Sequence, residues 1–272
     1  MGDETSGKNI LKADLRGTIN ISFFIAVLGI ALCFCLDNWE TLKVSPNSKG
    51  SSLCVFYFFF NSYSFGGVFM AYFSSLLAAL PFAARYSHEY RGGLYIYAIS
   101  RCGKRRYARS KLLAAGLSGG ATMFLGGLIF IIVLATYLPI ITPSRLKDFQ
   151  GMPYYNALAN GSGLGYFAVT LYLSFLSGVL WGCVGMCVSA FLPDPYVAIC
   201  APMVLNFIFV EFGRLTGLPP SLRLDLLLRA RGSFISDAVT LALLTLLVFS
   251  LCWLFYRLFL RRVSLGLEVA ER

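Results

Sequence analysis

The segment from Ala84 to Lys111 reads ARYSHEYRGGLYIYAISRCGKRRYARSK, and the rest of the chain is arranged around it. It carries eight cations against a single anion, Glu89, and it contains the only histidine of the chain, His88. The cations are Arg85, Arg91, Arg101, Lys104, Arg105, Arg106, Arg109 and Lys111. Because apolar runs long enough to cross a bilayer lie on both sides, the segment is predicted to connect two membrane helices.

The middle of this segment has a helical pattern. Tyr90, Leu94 and Tyr97 follow an i, i+4, i+7 spacing, which predicts a short amphipathic helix from Glu89 to about Ser100. Gly103 is expected to end that helix, and the basic run that follows leads back into apolar sequence.

The composition of the whole chain indicates a membrane protein. The 272 residues are 57% hydrophobic and 13% charged, with a mean hydropathy of +0.71, whereas a soluble domain has about 25% charged residues. The net charge of +10 would suggest nucleic acid binding in a soluble protein. Here the cations gather at the ends of apolar runs, so membrane lipid is the expected partner and nucleic acid is not.

The apolar runs predict an all-α polytopic membrane protein, with one transmembrane domain over residues 1–272 and six transmembrane helices. The predicted spans are 18–36, 53–84, 112–138, 164–192, 196–212 and 237–258. The run 53–84 is too long for one perpendicular crossing, so it must tilt, bend or begin outside the membrane. Two GxxxG spacings, at Gly116 and Gly120 and at Gly178 and Gly182, would permit close helix contact.

Six spans place both termini on one side of the membrane. If that side is the cytoplasm, the inner segments carry 15 of the 23 Lys and Arg residues, which favours this orientation in the plasma membrane. For residues 1–17, a helix on the inner surface and a frayed tail are equally good interpretations. Between spans five and six, a short amphipathic helix is predicted from Leu222 to Arg231, capped by Ser221 and closed by Gly232.

Several polar side chains interrupt the apolar runs and predict a substrate path. Asn61, Tyr63 and Ser64 lie in the upper half of span two, and Asn206 lies in span five. Because polar groups facing lipid are costly, these four residues are expected to face inward. Glu211 also lies in an apolar run, but Arg214 follows closely, and an ion pair between them is the favoured interpretation.

No catalytic or nucleotide-binding set is apparent. The sequence has neither HExxH nor GxxxxGK[ST], so no metal site is expected and the chain should not bind ATP through a phosphate-binding loop. His88 beside Glu89 offers proton chemistry in principle, but a structural role at the membrane boundary is the stronger interpretation. No cofactor is predicted for this chain.

The segment between spans two and three resembles that of the permeases of the type ABC-2 group of ATP-binding-cassette exporters. The similarity is carried by residues spread along the segment. These are Glu89, Gly93, Leu94, Ser100, Arg101, Tyr107 and Lys111. The resemblance implies a cytoplasmic coupling helix between spans two and three and short extracellular helices between spans five and six. The residues expected to contact the ATPase are Glu89, Arg91, Gly93, Leu94, Tyr97 and Arg101.

The resemblance also implies the partners. Two permease chains, either identical or paralogous, would enclose the path, and separate ATPase subunits carrying ATP and Mg would bind beneath them. The substrate would be a peptide, an antibiotic, a lipid or a drug-like molecule. The sequence leaves two other classes open, an intramembrane enzyme and a membrane scaffold or sensor that transports nothing. The basic run by itself would also suit a simple anchor on anionic lipid headgroups.

Overall fold

The computed structural model of the chain describes residues 3–44, 53–65, 67–142, 149, 152–159, 163–233 and 236–270. All regular structure in this described part is helical, which confirms the all-α prediction. In the N-terminal half the helices are α1 (Asp3–Thr18), α2 (Ile21–Asp37), α3 (Trp39–Val44), α4 (Val55–Tyr63), α5 (Val68–Ala79), α6 (Arg85–Arg91), α7 (Leu94–Cys102) and α8 (Lys104–Ala135). In the C-terminal half they are α9 (Tyr155–Ala159), α10 (Leu164–Phe191), α11 (Pro195–Leu215), α12 (Leu224–Leu228) and α13 (Asp237–Ala270).

Several helices have the length and apolar character of membrane spans. Among the described residues, α8, α10, α11 and the 237–265 part of α13 each meet this description. The last part of α1 and the whole of α2 form a fifth candidate, bent by 52° where the two helices meet. The chain is therefore a membrane-embedded helical protein with four or five such helices in its described part.

The predicted span 53–84 is not one continuous helix. It is divided into α4 and α5, and the chain turns again after α5 at residues 80–84. Asp37, at the end of α2, stabilises the first break. Its carboxylate accepts hydrogen bonds from the backbone N–H groups of Phe69 and Met70, at 2.9 and 3.0 Å. These N–H groups belong to the first turn of α5 and have no acceptor within the helix. The break therefore gives them an acceptor and places the negative charge of Asp37 at the positive end of the helix dipole.

Two helices extend beyond the predicted limits of their spans. The helix α8 begins at Lys104 rather than at residue 112, so the basic run forms its first two turns. The helix α13 continues to Ala270, beyond the predicted end of its span at residue 258, and it includes Arg257, Arg261 and Arg262. Arginine is a good helix former, so these charges end the apolar run without ending the helix.

The segment between α11 and α13 is less helical than predicted. The expected helix from Leu222 to Arg231 is wrong in both bounds, because a 3₁₀ turn covers Pro220–Leu222 and α12 ends at Leu228. Ser221 lies inside the turn and caps nothing. Ala230 adopts a φ of +57°, a left-handed conformation that a continuing helix cannot contain.

The centre of the protein is the contact between α8 and α10. A Cβ atom added at Gly178 would collide with the backbone oxygen of Gly119, and one at Gly182 would collide with that of Ala115. The two helices therefore approach as closely as backbones allow, as the GxxxG spacings predicted. The same Cβ atoms would lie 2.9 Å from the Cα of Gly120 and 3.5 Å from the Cα of Gly116, so the two GxxxG pairs face each other.

Candidate functional site

The segment between α5 and α8 consists of two short helices, not the single helix that was predicted from Glu89 to about Ser100. The helices α6 and α7 are separated at Gly92 and Gly93, and Gly93 adopts a φ of +69°. This conformation suits glycine and ends a helix, which is why the pattern breaks here. Tyr90 consequently lies on α6 and stacks on Tyr95 with ring centres 5.0 Å apart.

Glu89 lies in the last turns of α6, so the predicted position at a helix N-terminus is wrong. A carboxylate there is disfavoured by the helix dipole, and other groups compensate for it. Its oxygens accept hydrogen bonds from the Lys111 ammonium at 2.6 Å and the Tyr107 hydroxyl at 2.8 Å. Arg85, one turn earlier in α6, donates a third at 3.2 Å.

These contacts determine the ionisation of Glu89. Burial alone would raise the pKa of its carboxyl group. The Lys111 ammonium and the three hydrogen bonds outweigh burial, and they hold the pKa of Glu89 below its ordinary value of 4.5. The carboxylate is therefore ionised at neutral pH.

Lys111 is the centre of this cluster and is only 3% exposed. Besides Glu89, its ammonium contacts a carboxylate oxygen of Asp14 at 2.8 Å. The hydroxyl of Ser110 donates to the second Asp14 oxygen at 2.6 Å. Because Asp14 belongs to α1, the cluster joins the N-terminal helix to α6 and α8. Residues 3–18 are helical, as one of the two interpretations expected, and the location of this helix on the inner membrane surface stays a prediction.

A second ion pair joins the segment to the other side of the bundle. The guanidinium group of Arg91 contacts a carboxylate oxygen of Asp194 at 2.5 Å and donates to the carbonyl oxygen of Pro193 at 3.1 Å. Asp194 also caps α11, accepting hydrogen bonds from the N–H groups of Tyr196 and Val197. The bond from Val197 is the main reason that the pKa of Asp194 lies below its ordinary value, and Arg91 lowers it further.

The helix α7 presents an apolar face to the outside of the protein. Leu94 and Tyr97 are 59% and 71% exposed, while Tyr95 and Ile99 on the opposite side are buried. Arg101, near the C-terminal end of α7, lines a cavity of about 680 Å³ together with His88 and Glu89. The six residues predicted to contact an ATPase thus lie along α6, α7 and the glycine break between them.

The four residues predicted to line a substrate path are separated by the structure. The amide of Asn61 donates to the side-chain oxygen of Asn38 at 3.0 Å, and the hydroxyls of Ser64 and Tyr166 lie 3.3 Å apart. Neither Asn61 nor Ser64 lines the cavity of about 600 Å³ that the other two residues, Tyr63 and Asn206, line. Their polar groups are hydrogen-bonded inside the bundle, as the expected inward orientation requires, and their place in a substrate path stays a prediction.

Tyr63 and Asn206 do line a cavity of about 600 Å³. The hydroxyl of Tyr63 donates to the carbonyl oxygen of Leu228 at 2.7 Å, and the amide of Asn206 donates to that of Ala71 at 2.7 Å. Arg229 lines the same cavity and donates to the carbonyl oxygen of Ala71 at 3.0 Å. The sequence did not indicate Arg229 as part of a substrate path.

Sequence reasoning also missed Asp14, because a lone carboxylate in a polar N-terminal segment looks like an ordinary surface charge. Its position among Ile10, Leu11 and Leu15, on the apolar side of a helix, was the available signal. The predicted pair of Glu211 and Arg214 is present at 3.9 Å. Among the described residues, no group of three or more His, Cys, Asp or Glu side chains is arranged to hold a metal ion.

No family model, curated protein or solved structure matches this chain.

Proposed function

We propose that this chain is the membrane-spanning permease subunit of an ATP-binding-cassette exporter of the ABC-2 type. In this proposal six segments cross the cytoplasmic membrane, and the broken pair α4 and α5 serves as the second of them. Both termini lie in the cytoplasm. The chain carries a substrate of the peptide, antibiotic, lipid or drug-like class.

The observation that carries the proposal is the buried cluster of Lys111, Glu89 and Asp14. It fixes α6 to α1 and α8, and the Arg91–Asp194 pair fixes α6 to the start of α11. A push on α7, which contacts α6, would therefore reach α1 and the membrane helices α8 and α11 through charged contacts. Short, firmly held helices that join several spans suit the transmission of movement from a soluble motor.

The proposal assigns the energy source to other chains. ATP and Mg would be bound by a separate ATPase subunit seated on α6 and α7. Aromatic residues and arginine are enriched in protein interfaces, and Tyr97 and Arg101 lie one turn apart on α7. A second permease copy or a paralogous permease would complete the path across the bilayer.

Purification of the tagged chain from the membranes of its host tests the proposal. The expected result is co-purification of a subunit that contains a GxxxxGK[ST] loop, together with ATP hydrolysis that the purified chain alone does not show. Recovery of the chain without any such subunit, in several mild detergents, would favour the scaffold or sensor class. ATP hydrolysis by the chain alone would contradict the proposal directly.

A further inference from the structure

The cavity lined by Tyr63 and Asn206 has apolar walls and a polar end. It follows α10 from Ser177 to Val188, an axial length of roughly 16 Å at 1.5 Å per residue. Its walls are apolar and aromatic, with Trp181, Phe209 and Phe255 contributed by α10, α11 and α13. Its volume of about 600 Å³ lies within the usual range for small-molecule sites.

The polar end of the cavity contains the cation of Arg229. Asp225 lies there, but its carboxylate is already bound by Arg223, with contacts of 2.8 and 3.3 Å. Within the described residues, no carboxylate lies within ion-pair distance of the Arg229 guanidinium. Asp225 and Asp37 act on Arg229 only from beyond that distance. Arg229 is therefore a cation without a contacting carboxylate at the head of an apolar cavity.

Arg229 also has unused hydrogen-bonding capacity. An arginine side chain has five N–H donors, and within the described residues one of them is used, in the bond to Ala71. Burial lowers the pKa of the Arg229 guanidinium, but arginine remains charged at neutral pH. A partly buried cation with free donors is stabilised by an anion that can accept two hydrogen bonds, such as a carboxylate or a phosphate.

We propose that this cavity binds an anionic amphiphile, with its acidic headgroup paired to Arg229 and its single hydrocarbon chain lying along α10 between α11 and α13. The charge selects the headgroup, and the apolar walls select the chain. A neutral hydrocarbon would leave the Arg229 donors unpaired, and a small anion would leave the apolar walls in contact with water.

This inference rests on the proposed function for its biological meaning, because it assigns the substrate class of the permease. Its test does not depend on that function, since binding is measured on the chain alone. Failure to find an ATPase partner would leave a positive binding result intact. Failure to bind the probe would leave the coupling role of α6 and α7 unaffected.

The experiment uses the full chain in nanodiscs of neutral phosphatidylcholine and a palmitate with a photoreactive diazirine on its acyl chain. After irradiation, labelled peptides are identified by mass spectrometry over a range of palmitate concentrations. We expect saturable labelling of α10, α11 and α13 at the cavity walls. The Arg229→Gln substitution should weaken binding about tenfold, as loss of a charge-assisted hydrogen bond implies.

Arg231→Gln is the matched control, because Arg231 is exposed, contacts Phe65 and does not line the cavity. Its labelling should equal that of the wild type. Leu251→Trp fills the cavity while retaining Arg229, and it should also abolish saturable labelling. If Arg229→Gln does not fold, as judged by its thermal melting, the Leu251→Trp variant and the competitors decide the question.

Three competitors define the ligand chemistry. Unlabelled palmitate should compete, whereas cetyl alcohol, which lacks the charge, and butyrate, which lacks the chain, should not. If cetyl alcohol competed as well as palmitate, Arg229 would not recognise the headgroup. If Arg231→Gln lost as much labelling as Arg229→Gln, the effect would come from general surface charge and the proposed site would be overturned. Displacement by phosphatidylglycerol at lower amounts than palmitate would overturn the single-chain assignment in favour of a bilayer lipid. Labelling outside the cavity walls would overturn the site.

Discussion

Lys111 and Glu89 form a buried ion pair, with 2.6 Å between the ammonium nitrogen and a carboxylate oxygen. The pair is not isolated, because Asp14 approaches the same ammonium from α1 and Arg85 approaches the same carboxylate from α6. Two cations and two anions are thus brought together, and the cluster as a whole is neutral. Lys111 and Asp14 can be buried where α1, α6 and α8 meet because each charge has a partner, whereas a single buried charge would be costly.

Substitution of Lys111 tests how much this cluster stabilises the protein. Lys111→Met leaves two buried carboxylates without their shared cation, and breaking a buried pair in this way costs about 3 to 5 kcal/mol. The thermal midpoint of the purified chain in detergent should fall clearly. Lys104→Met, at the exposed start of the same helix, is the control and should melt like the wild type. Equal midpoints for the two variants would contradict a stabilising role for the cluster.

The same cluster predicts a pH dependence. Because the folded pKa of Glu89 lies below its ordinary value of 4.5, folding favours the ionised form. The resulting stability is fully present above about pH 4.5 and is lost as the pH falls through the lower folded pKa. The difference in thermal midpoint between the wild type and Glu89→Gln should therefore be large at neutral pH and shrink in acid.

Glu40→Gln provides the matched control for this titration. Glu40 is exposed and only loosely paired with Lys43, at 3.8 Å. Its substitution should leave the midpoint nearly unchanged at every pH. The difference in thermal midpoint between the wild type and Glu89→Gln could also stay constant from neutral to acid pH. That result would show that the charge of Glu89 does not stabilise the fold.

One methyl group added at the contact between α8 and α10 is expected to destabilise the protein. Gly178→Ala places a Cβ atom against the backbone oxygen of Gly119, which cannot move without displacing the helix. Overpacking of this kind costs about 1 to 3 kcal/mol. Gly127→Ala is milder, because its Cβ would meet only the end of the Leu171 side chain, at 3.0 Å. Comparison of the two by thermal melting checks the prediction, and equal melting would mean that the helices separate easily.

The sequence predicted the helical class and the glycine contacts because these depend on local patterns. It could not predict which glycines meet, because the rotation of each helix depends on the whole bundle. The cluster around Lys111 was missed for a related reason. Asp14 and Glu89 are 75 residues apart in sequence, and no local pattern indicates that they share one cation. The glycine pair Gly92 and Gly93 signals the break, but the i, i+4, i+7 spacing of Tyr90, Leu94 and Tyr97 continues across it and predicts one helix.

Cysteine labelling tests the proposed orientation of the chain. Two of the positions suited to this by sequence, Asn47 and Asn160, lie outside the described residues, and the third, Arg229, lines a cavity. Arg214 is a better choice, since its side chain is 76% exposed at the end of α11. In a background without Cys200, Arg214→Cys should react with an impermeant reagent on intact cells. Lys104→Cys should react only after permeabilisation, and its labelling on intact cells would reverse the orientation.

The exposed face of α7 supports the last prediction, which concerns the contact with an ATPase. Leu94 and Tyr97 project from this face, and nothing in the described part of the chain covers them. Aromatic and aliphatic anchors of this kind carry much of the energy of a protein interface. The double substitution Leu94→Ala and Tyr97→Ala should cost on the order of 2 to 4 kcal/mol of association. The chain itself should still fold, because the buried face of α7, with Tyr95 and Ile99, is unchanged.

The matched variant carries Arg105→Gln and Arg106→Gln, in the basic first turn of α8. These substitutions should weaken contact with anionic lipid, at about 1 kcal/mol for each charge, and leave the partner in place. Both variants are purified in the same detergent, and the amount of co-purified ATPase and its ATP hydrolysis are measured against the wild type. The α7 variant should lose the partner and the stimulated hydrolysis while keeping its thermal midpoint. If the α7 variant keeps the partner and the basic variant loses it, the ATPase contact lies on the basic run of α8 rather than on α7.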